Sequence, residues 1–261
     1  MSTVDAGNTV SRVAAVNPVA KLGAALVLAL CLVLTIDWVS AAVALGLESA
    51  ALVFLRLPAR VLWRRTLPVW VAAPLTGVTI ALYGRSEGQV YVEFAFARVS
   101  EGSIELAIAT VLRVLAIGLP AVALFISVDP TELADGLAQR VRLPTRFVLG
   151  ALAGMRLVSL FIDDWHSLAR ARRARGVADT GRIRRLTGQV FALLVLSIRR
   201  GSSLATAMEA RGFGASVERT WARESHWGAR EWLVMGAGLT IGLLALAAAV
   251  LSGRWNFIVG P

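Results

Sequence analysis

The sequence has few of the residues from which common active sites and metal centres are built. It contains one cysteine, two histidines and one lysine among 261 residues. The lone Cys31 excludes an internal disulfide, and two histidines without a cysteine cluster exclude a structural zinc site of the usual kind. The lysine, Lys21, follows Ala20 and not a glycine-rich loop, so the sequence has no P-loop. The chain therefore carries no ATP-hydrolysing motif of this type.

Charged residues are also scarce, at 17% of the chain, whereas the residues AVILMFWYC make up 57% and the mean hydropathy is +0.68. Soluble domains have about 25% charged residues. About 20 apolar residues cross a hydrocarbon layer of ~30 Å. The sequence thus predicts an all-α, polytopic membrane protein with about five transmembrane helices, formed by the apolar runs 19–36, 39–55, 69–83, 104–127 and 232–251.

Positive charge is distributed unevenly among the connections between these runs. Arg12 and Lys21 precede the first run, the break at Asp37 has no basic residue, and residues 84–103 carry three glutamates against two arginines. Short basic connections normally stay in the cytoplasm. We therefore expect a cytoplasmic N-terminal tail (1–17), without a cleaved signal peptide, and a C-terminus outside the cell. The second basic connection, between the second and third runs, contains Arg56, Arg60, Arg64 and Arg65.

About a hundred residues separate the fourth and fifth runs, and they hold most of the arginines together with apolar residues at helical spacing. Asp129, Pro130 and Glu132 predict a helix start, with aspartate as N-cap, proline at the first helical position and glutamate three residues after the cap. Two longer helices are expected to end at Gly176 and Gly212. The predicted organisation is four transmembrane helices in 1–127, cytoplasmic or interfacial coupling helices in 128–230, and a final transmembrane helix in 231–261.

The membrane relationship of residues 147–162 has an alternative. This stretch is apolar enough to be another span, which would reverse the orientation of everything that follows it. Arg156 at its centre would cost ~2.5–3.5 kcal/mol on an insertion scale. We therefore expect this helix to lie under the membrane, with its apolar face against lipid or other helices.

The two long helices end in a repeated sequence. Residues 167–176 and 203–212 are identical at seven of ten positions, and both finish in Ala-Arg-Gly. Arginine in a last helical turn complements the helix dipole, glycine permits the left-handed end, and the guanidinium fork can bind a carboxylate through two hydrogen bonds. The simpler alternative is two ordinary helix ends whose arginines meet water or lipid phosphate. The candidate contact residues are Ala174, Arg175, Gly176, Ala210, Arg211 and Gly212.

At these residues the sequence resembles the transmembrane T component of energy-coupling factor (ECF) transporters, the EcfT/CbiQ-like family. Arg172 and Arg173 stand where a polar residue, often glutamine, is common in that family. The resemblance is strongest from 129 to 214 and rests on the Asp129-Pro130-x-Glu132-Leu133 helix start, Leu143-Pro144, Ala171-x-x-Ala174-Arg175-Gly176, and the octet Ala207-Met208-Glu209-Ala210-Arg211-Gly212-Phe213-Gly214.

The resemblance implies a non-catalytic subunit of an ATP-driven importer of a vitamin or transition-metal ion. It implies that the two Ala-Arg-Gly ends insert into two cytoplasmic ABC ATPases, which bind ATP and magnesium, while the membrane part holds a substrate-binding S component. It implies no cofactor on this chain. The other arginines are expected to contact anionic lipids, and nucleic acid is not expected because aromatic residues are few in the basic region.

One other class of function stays open at this point. A membrane enzyme acting on lipid phosphates could use the arginines as phosphate clamps. Its candidate acids would be Asp163, Asp164 and Glu209, which form no known catalytic motif. A consecutive pair such as Asp163-Asp164 is more often a solvated helix turn.

Overall fold

The computed structural model describes residues 15–54, 59–84, 89–94, 97–126, 128–176, 181–215 and 220–253. These ranges omit most of the predicted N-terminal tail with Arg12, as well as Arg56, Ser127 and the last eight residues. The described elements are α1 (Pro18–Val33), α2 (Trp38–Phe54), α3 (Ala59–Tyr83), β1 (Val90–Phe94), β2 (Ala97–Ser100), α4 (Glu101–Phe125), α5 (Pro130–Gln139), α6 (Thr145–Ala174), α7 (Arg182–Ala210) and α8 (Ala229–Leu251). The predicted all-α class is confirmed.

The break between the first two helices lies where the sequence predicts it. The Asp37 carboxylate accepts hydrogen bonds from the backbone N–H of Ser40 at 2.7 Å and from its hydroxyl at 2.6 Å. This contact closes the first turn of α2, because a side-chain acceptor satisfies an otherwise unpaired amide there. Asn17 acts in the same way at the start of α1, where its side chain accepts from Val19 N–H at 3.0 Å.

Two connections differ from the sequence expectation. Arg60, Arg64 and Arg65, expected in a loop, lie in the first two turns of α3, since arginine is a good helix former. The connection 84–103 contains an antiparallel hairpin in which Val90 pairs with Ser100 and Phe94 pairs with Ala97, with a shift in the pairing register between Val90 and Val92. Valine, tyrosine and phenylalanine favour strands, but this short pattern was not recognised among the glutamates.

The described chain forms two compact units, Met1–Leu133 with Ser225–Pro261, and Ala134–Glu224. The first unit has a core in which the small side chains of Ala44, Ala116 and Ala245 meet Leu28 and Leu32. Small residues let helix backbones approach closely, which is the usual basis of helix packing inside a membrane. The second unit contains α6, α7 and most of α5, and its own small core is formed by Ala134, Ala138 and Val148.

Five described helices are long and apolar enough to cross a membrane: Leu62–Tyr83, Glu101–Phe125, Thr145–Ala174, Ile183–Ala210 and Ala229–Leu251. The number agrees with the sequence prediction, but the members differ. α1 and α2 have 16 and 17 residues, so each is about 25 Å long and slightly short of a full bilayer core. In contrast, α6 and α7, which the sequence did not predict to span, are long and apolar enough to do so. The interfacial position of residues 147–162 stays a prediction.

Candidate coupling site

The two Ala-Arg-Gly segments end α6 and α7 with the same backbone geometry. Arg175 has φ −89° and ψ 4°, and Arg211 has φ −90° and ψ 12°. The following glycines, Gly176 and Gly212, have φ of +69° and +80°. Glycine adopts this left-handed conformation without the clash that a Cβ introduces. The repeat in the sequence is therefore also a repeat in the backbone.

Hydrogen bonds close both helix ends in matching positions. The Gly176 N–H donates to the Arg173 carbonyl at 3.0 Å, and the Gly212 N–H donates to the Glu209 carbonyl at 2.9 Å. Residues 174–176 and 210–212, which we call the two arginine tips, are all exposed. Within the described residues neither Arg175 nor Arg211 forms an ion pair. Each tip thus presents an unpaired guanidinium on a well-formed helix end.

The predicted helix start at Asp129 is present. Its Oδ1 accepts from the Thr131 N–H at 2.7 Å and from the Glu132 N–H at 3.3 Å, with Pro130 as the first helical residue. These bonds satisfy amides that have no partner within the helix. Asp129, Pro130 and Glu132 therefore define where α5 begins, and their contribution to coupling stays a prediction.

α6 and α7 contact each other over a short stretch and run in opposite directions. The Gln189 side-chain amide donates to the Trp165 carbonyl at 2.8 Å, and Arg172 Nη1 donates to the Arg185 carbonyl at 3.0 Å. Later residues of α6 therefore meet earlier residues of α7. Arg172 also lies over Gly188, where an added Cβ would be 2.8 Å from Nη2. Arg172 thus bridges the two helices, a structural contact that the sequence did not indicate.

An ion pair joins the same two helices. Arg200 Nη1 lies 2.5 Å from Asp164 Oδ2, and Nη2 lies 3.1 Å from Oδ1. The Asp164 side chain is 17% exposed and that of Arg200 is 38% exposed. Two parallel hydrogen bonds fix the mutual orientation of the groups as well as their distance. Asp164 is therefore not a solvated helix turn, and its pairing was missed because nothing local in the sequence indicates it.

Two ionisable residues inside apolar runs were also missed. Glu48 on α2 is 4% exposed, and neither carboxyl oxygen has a hydrogen-bond partner within the described residues. Arg113, at the middle of α4, donates through Nη2 to the Thr35 carbonyl beside the α1–α2 break. Ionisable groups at such positions are rare and often functional in membrane proteins. A single charged residue is easily overlooked when an apolar run is identified by its average hydropathy.

No group of three or more histidine, cysteine, aspartate or glutamate side chains suited to a metal ion occurs among the described residues.

The five long, apolar helices define a multi-pass, all-α membrane protein, and two of them end in the matched tips. The sequence profile of the CbiQ family, described as cobalt transport protein, matches residues 10–221. Proteins named energy-coupling factor transporter transmembrane protein EcfT are also similar. The relative from Bacillus selenitireducens is 28% identical over 92% of this chain and 91% of its own length. The relative from Bacillus subtilis is 27% identical over 84% of this chain and 85% of its own length. The relative from Limosilactobacillus fermentum is 26% identical over 75% of this chain and 78% of its own length.

The chain belongs to the CbiQ family, and the resemblance to the T component of ECF transporters is confirmed. It is accordingly a non-catalytic transmembrane subunit of a transporter. The alternative of a membrane enzyme acting on lipid phosphates is wrong, because the relatives are named as transporter components.

Proposed function

We propose that this subunit couples two cytoplasmic ABC ATPases to a membrane-embedded S subunit in an importer of a vitamin or a transition-metal ion. The observation that carries the proposal is the pair of exposed arginine tips with the same backbone geometry. Two matching helix ends suit two identical or similar receptors. The partner ATPases bind ATP and magnesium, which agrees with the lack of a P-loop in this sequence.

In the proposed mechanism each tip enters a groove on one ATPase. Arg175 binds a carboxylate of one ATPase and Arg211 binds the equivalent carboxylate of the other, through the two-bond geometry that guanidinium favours. ATP binding brings the ATPases together and displaces the tips. α6 and α7 transmit this displacement to the S subunit, which docks on their exposed apolar residues and then releases its cargo inward. These residues include Val158, Ile162, Leu194 and Ile198.

The proposal includes a cytoplasmic N-terminus. Asn17 at the start of α1 donates to Ser225 Oγ at 2.8 Å, and its backbone N–H donates to Glu231 Oε1, on the first turn of α8, at 3.2 Å. α1 and α8 therefore begin at the same end of their unit. If that end faces the cytoplasm, as the basic connections favour, the C-terminus lies outside.

Anionic lipids are the third proposed partner. The exposed arginines away from the tips, such as Arg170 and Arg184, would each contribute about 1 kcal/mol next to acidic headgroups. Nucleic acid is not part of this proposal.

Charge reversal at the tips tests the proposal. The chain is co-expressed with ABC ATPases and the S subunit encoded nearby, and the complex is purified in detergent. We expect the double variant Arg175→Glu, Arg211→Glu to weaken ATPase association by about 100-fold, because like charges then face each other. The control Arg146→Glu, Arg184→Glu makes the same change in net charge at exposed positions of the same unit and should associate normally. Normal association and transport by the tip variant would overturn the proposal.

A further inference from the structure

The ion pair between α6 and α7 lies at equal sequence distances from the two tips. Asp164 and Arg175 are eleven positions apart, and Arg200 and Arg211 are also eleven positions apart. Both intervals are almost entirely helical, so each corresponds to about 16 Å along its helix. We call these intervals, 164–175 and 200–211, the two arms.

The equality follows from the sequence repeat. Residues 167–176 and 203–212 are offset by 36 positions, and Asp164 and Arg200 differ by the same 36. Each of the two residues thus lies three positions before its copy of the repeat, and they carry opposite charges. Because α6 and α7 run in opposite directions, the arms extend to opposite sides of the pair. Asp164 and Arg200 therefore mark the point from which the two arms extend.

The described contacts on the two sides of this point are unequal. Arg172 and Gln189 make their interhelical hydrogen bonds on the Arg175 side. On the Arg211 side, the described side-chain hydrogen bonds of residues 201–210 stay within α7, as in the bond from Thr206 to the Ser202 carbonyl. The Asp164–Arg200 pair is thus the last described hydrogen-bonded link between the helices before the Arg211 arm.

We propose that Asp164 and Arg200 are positioning residues that fix the crossing point of α6 and α7 and thereby set the distance between the two arginine tips. The inference rests on the proposed function, since a defined tip-to-tip distance matters when each tip binds one of two ATPases. The pair passes the movement of one tip to the other without touching either partner. The two-bond geometry is essential, because a single charge contact would let the helices rotate about each other.

The first test measures the distance between the arms in the purified transporter complex. Spin labels are placed at Arg170→Cys and Thr206→Cys, exposed and equivalent positions of the repeat, in a Cys31→Ser background. We expect a single narrow distance distribution in the parent protein. Asp164→Asn and Arg200→Lys should broaden it, since both remove the paired hydrogen bonds without a large change of volume. An unchanged distribution would overturn the inference.

The second test separates positioning from general stability by exchanging the charges. The variant Asp164→Arg, Arg200→Asp should recover the narrow distribution that either substitution alone loses. Asp163→Asn and Arg199→Lys are matched controls, because these neighbours are exposed and should leave the distribution unchanged. Broadening by the controls to the same extent would overturn the inference, since it would then reflect any charge change in this region.

The third test distinguishes this inference from the proposed function. Because the tips stay intact, Arg200→Lys should retain ATPase association while the amount of cargo transported per ATP hydrolysed falls by about tenfold, the magnitude expected for losing a hydrogen bond to a charged group. If the double variant Arg175→Glu, Arg211→Glu loses ATPase association and Arg200→Lys keeps it, the result would support the proposed function independently of the positioning role. Full coupling by Arg200→Lys would overturn the positioning role and leave the proposed function in place.

Discussion

The Arg113 side chain, at the middle of α4, donates a hydrogen bond to the backbone carbonyl of Thr35, just before α2 begins. Asp37, which closes the first turn of α2, adds an electrostatic attraction to the same arginine. α1 and α2 are short, and their connection is buried, with Thr35 0% and Asp37 5% exposed. Arg113 therefore satisfies a carbonyl and balances a charge at a helix break that water does not reach.

Removing Arg113 should destabilise the membrane unit. We expect Arg113→Met to lower the free energy of unfolding by about 2–3 kcal/mol, because a buried carbonyl and the Asp37 carboxylate lose their partner. The measurement is a thermal unfolding midpoint in detergent, converted to free energy with the parent unfolding enthalpy. Adding Asp37→Asn to Arg113→Met should recover part of the loss, since the unbalanced charge is then gone. Additive effects of the two substitutions would contradict the charge-balance explanation.

Removing the carboxyl group of Glu48 should stabilise the membrane unit, whereas removing Arg113 should destabilise it. Glu48 is almost fully buried on α2, and its carboxyl group has no hydrogen-bond partner among the described residues. An unsatisfied buried polar group costs about 1–3 kcal/mol. We expect Glu48→Leu to raise the unfolding midpoint, whereas Glu48→Gln, which keeps a polar group in the same place, should change it less. A fall in the midpoint with both variants would mean that the carboxyl group has a favourable contact.

The sequence predicts the helices well where the signals are local. Gly176 and Gly212 end α6 and α7, Pro130 begins α5, and Asp37 marks the break before α2. Each of these features depends on a few neighbouring residues whose conformational preferences agree. Caps and helix ends of this kind can be identified without knowledge of tertiary contacts.

Features that depend on contacts between distant segments could not be predicted in this way. The Asp164–Arg200 pair joins residues 36 positions apart, and Arg113 meets a carbonyl 78 positions away. The hairpin of β1 and β2 is short and depends on cross-strand pairing rather than on the preference of its residues alone. The exposure of the two tips also depends on the fold, whereas their repeat can be recognised in the sequence alone.

The glycine after each tip arginine should be required for a closed helix end. At Gly212, with φ +80°, an alanine would have to adopt a left-handed conformation, at a cost of about 1–2 kcal/mol. The Phe213 N–H, which donates to the Met208 carbonyl at 2.9 Å, should lose protection from hydrogen exchange by roughly 5- to 30-fold in Gly212→Ala. Gly154→Ala is the matched control, because Gly154 lies within α6 with nothing within 4 Å of an added Cβ. It should instead stabilise its helix by about 0.5–1 kcal/mol.

The side chain of Asp129 should control how firmly α5 begins. It accepts the N–H groups of Thr131 and Glu132, and loss of such a cap costs about 1 kcal/mol. We expect Asp129→Ala to speed hydrogen exchange at these two amides by about fivefold and to leave the rest of the chain unchanged. Asp129→Asn retains an oxygen acceptor and should behave like the parent, because asparagine caps helices as well as aspartate does. If the asparagine variant instead resembled the alanine variant, the negative charge, rather than the hydrogen bond, would be what stabilises this helix start.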